Sequence, residues 1–165
     1  MRKIAFYGFV VSLVFVLSSC LKDKCPYTES NAKAPDSEVQ KVEQYLESKG
    51  ITALKDPSGL YYIVEAAGAG KTPDVCSVIS VHYTGMFTND QVFEKTTGSP
   101  VKLELGRLIL GWQKGLKYIQ PGGKIKLFIP PSLGYGSQDQ KDESGNVVMP
   151  GNSILIFSLE LIDVQ

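Results

Sequence analysis

The sequence is poor in the residues that most catalytic and metal sites use. It contains one histidine, three cysteines and one tryptophan. A metal site needs several converging ligands, and no second histidine or cysteine pair at zinc-ligand spacing supplies them. No glycine loop of the phosphate-binding kind is present either, so the sequence indicates neither a metal nor a cofactor. Its 17 basic residues balance 17 acidic ones, which gives no electrostatic reason to expect a nucleic-acid partner.

The single histidine, His82, lies in the stretch VHYTG at residues 81–85. In a strand, Val81 and Tyr83 share one face and His82 points to the other. A general base needs a nucleophile within hydrogen-bond reach, and the sequence identifies none. We therefore interpret His82 as a surface residue of a strand and not as a catalyst.

The first 19 residues have the pattern of an export signal. Two basic residues precede an uncharged apolar run at residues 4–17, which suits a signal peptide and is short for a membrane-spanning helix. The stretch LSSC at 17–20 resembles the bacterial lipobox, so we expect the Cys20 thiol to receive a diacylglycerol before residues 1–19 are cleaved off. An ordinary secretory signal with a chance cysteine is the alternative. Leu21, rather than an acidic residue, follows the cysteine, and by resemblance to known sorting rules this favours a lipid anchor in the outer membrane of a bacterial cell envelope.

Lipidation of Cys20 would leave two further cysteines, Cys25 and Cys76. An exported protein enters an oxidising compartment, where these two can form one disulfide. Two free thiols are the alternative, because the sequence does not supply the geometry of a bridge.

Residues 20–35 are polar and contain two prolines, which predicts a tether. Ser37 and Gln40 have capping-box spacing, and Gly50 can end a helix in the left-handed conformation. Between them an apolar stripe recurs at intervals of three and four (Val39, Val42, Leu46), which predicts a helix over residues 38–49. We therefore divide the rest of the chain into an N-terminal helix with its linker (36–58) and a main domain (59–165).

The main domain shows mostly strand periodicity. Apolar residues alternate with period two in five stretches: 60–65, 79–83, 101–105, 124–129 and 154–161. In between, Trp112, Leu116 and Ile119 recur at helical spacing before a Pro-Gly-Gly turn, which predicts a short helix. The connections are too short for parallel crossovers, so we expect an α+β domain with an antiparallel β-sheet wrapped on one short helix.

Several stretches of this domain resemble, in order and spacing, the FKBP-type peptidyl-prolyl cis–trans isomerases, a family that binds rapamycin-like macrolides. They are VHYTG (81–85), VFE (92–94), LELG (103–106), LILGWQKGL (108–116), PGGKIKLFIPPSLGYG (121–136) and MPGNSILIFSLELIDV (149–164). The resemblance covers residues 59–165, and the arrangement with a lipoprotein signal and one helix is similar to exported bacterial members. It implies an enzyme that accelerates rotation about X–Pro bonds in unfolded or nascent exported proteins.

The resemblance also implies a role for individual residues. Trp112 should form the floor of an apolar pocket, and Tyr83, Phe93 and Phe157 should form its walls. The mouth and far edge should be lined by Leu108, Ile109, Tyr135 and either Val148 or Met149. The Ile109 N–H and the Tyr135 hydroxyl should donate to substrate carbonyls.

Two positions depart from the family pattern. Glu94 stands where an aspartate usually binds the first tyrosine, and Val101 stands where some members have a phenylalanine at the pocket rim. Both changes bear on efficiency and macrolide affinity more than on the reaction. Two other functions remain open: a proline-recognising binding or chaperone module with little turnover, and a structural envelope lipoprotein with a vestigial pocket.

Overall fold

The structure, a computed structural model, describes residues 25–165. This part of the chain contains two α-helices, α1 (Asp36–Ser48) and α2 (Leu110–Gly115). It also contains nine strands: β1 (Leu54–Lys55), β2 (Tyr61–Ala66), β3 (Val78–Phe87), β4 (Val92–Lys95), β5 (Val101–Glu104), β6 (Lys124–Ile129), β7 (Gln140–Lys141), β8 (Val147–Met149) and β9 (Leu155–Val164). Short 3-10 turns cover Leu105–Arg107, Leu116–Tyr118 and Pro131–Leu133.

The predicted signal segment and the lipidation site Cys20 lie outside the described residues. Within residues 25–165, no helix has both the length and the apolar character that crossing a bilayer requires.

Seven strands form one antiparallel sheet in the order β1-β2-β6-β9-β3-β4, with β5 pairing to β3. The five stretches with period-two alternation correspond to β2, β3, β5, β6 and β9. The prediction of an antiparallel sheet wrapped on one short helix is therefore confirmed. The hairpin of β7 and β8 is separate from this sheet. β7 lies in a polar stretch and β8 is only three residues long, so neither had given a strand pattern.

Helix α2 lies directly on the sheet because two of its residues have no side chain. A Cβ atom at Gly111 would lie 2.6 Å from Ile129, and one at Gly115 would lie 2.5 Å from Leu127. Both neighbours belong to β6, so the glycines set the close approach of helix and strand. Trp112, between these glycines, is buried in the resulting core.

Helix α1 begins and ends differently from a capping-box helix. It begins at Asp36 after Pro35, and no side chain makes a capping hydrogen bond there. Ser37 lies inside the first turn, so its interpretation as the cap is wrong; Pro35 stands at the cap position and supplies the extended backbone. The end agrees with the prediction, because Gly50 adopts a φ of +64°. The predicted apolar stripe is buried against the domain (Val39, Val42, Leu46).

Residues 25–35, which we call the strap, have no helical or strand structure before α1, yet they are packed on the domain. A disulfide joins Cys25 to Cys76, with the two Cα atoms 5.6 Å apart. Farther along, Lys114 donates from Nζ to the Ser30 carbonyl at 2.6 Å. Residues 25–35 therefore differ from a free tether, while residues 20–24 of the expected tether lie outside the described residues. The difference arises because side-chain contacts fix a segment whose composition is that of a linker.

Candidate active site

Four aromatic side chains from four elements meet between the sheet and α2. Trp112 of α2 lies 5.0 Å from Tyr83 of β3 and 5.2 Å from Phe157 of β9, measured between ring centroids. Phe93 of β4 lies 5.5 Å from Phe157. All three pairs are edge-to-face, the arrangement that the ring quadrupoles favour. The rings therefore hold one another in a fixed geometry.

Gly85 makes room for this cluster. The pairing of β3 with β9 sets Gly85 opposite Phe157. A Cβ atom at residue 85 would lie 2.7 Å from both Phe157 and Phe93. Gly85 belongs to the stretch VHYTG, whose resemblance to a family gave this glycine no separate role. A glycine inside a strand is itself a signal of close approach by another group.

The cluster is open on one side, where it forms the floor and walls of a cavity of about 240 Å³. Apolar and aromatic side chains make up most of the lining, and two charged residues lie among them. The lining residues are Tyr83, Glu94, Leu103, Arg107, Leu108, Ile109, Trp112, Tyr135 and Phe157.

Glu94, which stands where the family usually has an aspartate, binds the first tyrosine. The Tyr83 hydroxyl donates to Oε1 of Glu94 at 2.6 Å. Burial of the phenol and this hydrogen bond raise the pKa of Tyr83 well above its ordinary value. The ring is therefore neutral and fixed at physiological pH.

Two donors at the cavity have no acceptor within residues 25–165. The Ile109 N–H precedes α2 and makes no backbone hydrogen bond. The Tyr135 hydroxyl makes no hydrogen bond either, and its residue is 41% exposed. Burial of the phenol and the nearby Glu94 raise the pKa of Tyr135, so its hydroxyl stays protonated. Both groups are available to a bound molecule.

The structure brings together eight of the predicted site residues and leaves three apart. Phe93 packs behind the wall formed by Phe157 rather than lining the cavity. Val101, Val148 and Met149 are not among the lining residues. Val101 pairs with β3, Val148 is 53% exposed on the separate hairpin, and Met149 is buried in the core. Val148 and Met149 depend on the geometry of the hairpin, whereas Val101 lies at the start of β5, two residues before the lining residue Leu103.

Two lining residues were not predicted from the sequence. Leu103 lies in the alternating stretch of β5, so its inward position could have been derived from strand periodicity. Arg107 carries no such signal, because an arginine beside a turn is ordinarily a solvated surface residue.

His82 points away from this cavity, as predicted. Its Nδ1 lies 3.4 Å from the Thr96 hydroxyl, and its strand partner is Glu160. No group of three potential metal ligands occurs within residues 25–165.

An antiparallel sheet on one short helix, with an aromatic cavity between them, defines a domain suited to binding a small apolar ring. Residues 70–162 match the family described as FKBP-type peptidyl-prolyl cis-trans isomerase. The chain belongs to this family.

Individual relatives agree with this assignment. A relative from Buchnera aphidicola subsp. Schizaphis graminum, named FKBP-type peptidyl-prolyl cis-trans isomerase FkpA, is 44% identical over 127 residues, which cover 75% of this chain and 47% of the relative. The crystal structure of FkpA from Escherichia coli is similar with a TM-score of 0.66 and 36% identity, over 79% of this chain and 60% of that one. A crystal structure of AtFKBP13 has a TM-score of 0.62 and 31% identity, over 69% of this chain and 99% of that one. The chain spans about half the length of the curated relatives it matches.

Proposed function

We propose that the protein is a peptidyl-prolyl cis–trans isomerase that accelerates rotation about X–Pro bonds. The observation that carries the proposal is the cavity itself. It has Trp112 as its floor, Tyr83 and Phe157 as walls, and two unused donors, the Ile109 N–H and the Tyr135 hydroxyl, at its edge.

The chemistry of the reaction accounts for such a site. Rotation about the peptide bond must break amide resonance, against a barrier of about 18–20 kcal/mol. Resonance places negative charge on the carbonyl oxygen, so moving the bond from water into an aromatic cavity disfavours the planar state relative to the twisted one. No covalent bond forms and no proton is transferred.

The two donors then supply what desolvation alone does not. Held at the cavity edge, the Ile109 N–H and the Tyr135 hydroxyl can bind carbonyls on either side of the rotating bond. Interactions that are stronger in the twisted geometry than in the planar one accelerate the rotation. The hydrogen bond from Tyr83 to Glu94 fixes one wall, so this wall need not reorganise when the prolyl ring of the substrate enters the cavity.

The substrates we propose are unfolded or nascent exported proteins, in which prolyl isomerisation takes tens to hundreds of seconds without a catalyst. We propose that the protein acts in the bacterial cell envelope, anchored in the outer membrane through a lipid on Cys20. The disulfide between Cys25 and Cys76 supports export, because such bonds persist in oxidising compartments. A rapamycin-like macrolide would compete with the substrate for the same cavity.

The test is an isomerisation assay on full-length protein in detergent micelles with short proline peptides. We expect catalysis that persists in EDTA and in His82→Ala, with a change of less than about twofold. Trp112→Leu should lower the rate by more than about tenfold, which corresponds to about 1.4 kcal/mol in the barrier.

The same sample separates the enzyme from a binding module. Trp112 is the only tryptophan in the sequence and forms the cavity floor, so intrinsic fluorescence reports peptide binding at this site directly. Peptide binding without catalysed exchange would favour the binding or chaperone module over the isomerase.

A further inference from the structure

The cavity has one positively charged residue among its described lining residues, Arg107. Arg107 ends the 3-10 turn that connects β5 to the mouth residues Leu108 and Ile109. Its side chain is 70% exposed, so the guanidinium is accessible from solvent at the rim.

The guanidinium of Arg107 is held on one edge only. Its Nε donates to the Tyr27 hydroxyl at 2.7 Å and lies 2.9 Å from Oε2 of Glu104. The Tyr27 hydroxyl in turn donates to the same Glu104 oxygen at 2.7 Å. The three groups form a closed set of contacts, and every contact to the guanidinium uses Nε.

Tyr27 lies in this position because both the backbone of the strap and the ring of Tyr27 are held in place. The disulfide of Cys25 lies two residues before it. The tyrosine ring lies against Gly106, where a Cβ atom would overlap the ring. The Leu105 N–H donates to the Ser77 carbonyl at 3.0 Å, next to the other half of the disulfide. The strap and the 3-10 turn that holds Arg107 are therefore both attached to the segment at residues 76–77.

The terminal Nη groups of Arg107 have no acceptor within residues 25–165. A guanidinium fork of this kind matches a carboxylate in a planar, bidentate geometry. Glu94, the other charged lining residue, accepts a hydrogen bond from the Tyr83 hydroxyl. The free positive edge at the rim is thus suited to an anionic group carried by the substrate.

We propose that Arg107 gives the cavity a preference for substrates with an acidic side chain next to the proline. Arg107 is the specificity-determining residue, and Tyr27 is a positioning residue that acts through it. The inference rests on the proposed isomerase function. Exposed ion pairs are weak, so we expect a preference of about two- to fivefold at low salt. It should fall towards one at high salt, because salt screens exposed charges.

The experiment compares glutamate with its neutral isostere glutamine at the positions before and after proline. The rate of catalysed cis–trans exchange is measured by NMR with full-length protein, and the result is the ratio of the Glu rate to the Gln rate. A ratio cancels losses that affect every peptide equally. We expect Arg107→Gln to bring the ratio to one. Tyr27→Phe, which keeps the ring on Gly106 but loses the hydroxyl, should give an intermediate ratio.

Lys102→Gln is the matched control. It removes one positive charge from the neighbouring strand, where Lys102 is exposed and alternates with the lining residue Leu103. The ratio should be unchanged in this variant. An equal loss of the ratio in Lys102→Gln would mean a general field effect and would overturn the assignment to Arg107.

Two further outcomes overturn the inference: a ratio of one in the wild-type protein at low salt, and a wild-type ratio that survives in Arg107→Gln. Absence of exchange catalysis with every peptide would instead refute the isomerase function. In that case the ratio of dissociation constants for the Glu and Gln peptides, from the fluorescence of Trp112, decides the preference in the same way.

Discussion

Phe157 and Phe128 provide a test of where the site lies, because the two residues are equally buried on neighbouring strands. Their exposed fractions are 2% and 1%. Directly opposed residues share a face of the sheet, and Leu127 lies opposite Phe157 while Ile156 lies opposite Phe128. Phe157 therefore faces the cavity with Trp112. Phe128 faces away from the cavity and packs near Tyr45 of α1, with the two ring centroids 6.4 Å apart. Truncation of either ring to alanine should destabilise the fold, but only Phe157→Ala should also remove a wall of the cavity.

The magnitudes follow from burial. Truncation of a buried phenylalanine costs about 3–5 kcal/mol in the free energy of unfolding. For a domain of this size, that corresponds to a fall of roughly 10–20 °C in Tm. Phe157→Ala should in addition lower the isomerisation rate by about tenfold, or roughly 1.4 kcal/mol in the barrier. Phe128→Ala should leave the rate within about twofold of the wild-type rate.

Thermal melting gives the stability of each variant, and NMR exchange of a proline peptide gives the rate at a low temperature where both remain folded. The comparison of two equally destabilised proteins removes stability as an explanation for lost turnover. If both variants lose turnover to the same extent, or if Phe128→Ala loses more, our placement of the active cavity on the Trp112 face is wrong.

Three further perturbations have separate readouts. Tyr135→Phe should keep the Tm, because the hydroxyl has no acceptor within residues 25–165, and should slow isomerisation by the loss of one neutral hydrogen bond, about 0.5–1.5 kcal/mol; a fall in Tm without a change in rate would contradict this role. Replacing Cys25 and Cys76 together by alanine should lower the free energy of unfolding by about 4 kcal/mol, because a cross-link between residues 51 apart in sequence restricts the unfolded chain. Denaturant titration measures this change, and an unchanged midpoint would contradict the disulfide. Burial opposes ionisation of Asp56, but hydrogen bonds from Ser58 and Tyr118 outweigh it and hold the pKa of Asp56 below its ordinary value. The ionised carboxylate therefore stabilises the folded protein above about pH 4, and this stabilisation is lost as the pH falls through the depressed pKa. Asp56→Asn should weaken the fall in the free energy of unfolding at acid pH, measured by denaturant titration at several pH values. If that fall is unchanged in the variant, other carboxylates cause it.

Periodicity predicted the elements that depend on a continuous buried face. The strands of the main sheet and the helix around Trp112 carry such faces, and each appeared close to its predicted position. In the β7–β8 hairpin only Met149 is buried, which is too little for an alternating pattern to reveal the two strands. The start of α1 was misplaced for a similar reason: capping-box spacing is a local signal, and Pro35 at the cap position overrode it.

The site was predictable in part, and by a different route. Periodicity alone cannot separate Trp112 or Phe157 from ordinary core residues, because both are buried in the sheet–helix interface. The resemblance to a family identified them as cavity residues. Neither route could find Arg107 or Tyr27, whose proximity depends on a disulfide that brings residues 25 and 76 together across the chain.

If Cys20 carries the proposed lipid, the disulfide also limits how far the domain can lie from the membrane. An extended chain spans at most about 3.3–3.6 Å per residue. A tether running freely from residue 20 to residue 35 would allow about 50 Å between a lipidated Cys20 and the folded domain. With Cys25 bonded to Cys76, the free stretch is five residues, and the greatest separation falls to about 18 Å. In a lipid-anchored form of the protein, the folded domain would therefore lie within about one protein diameter of the bilayer.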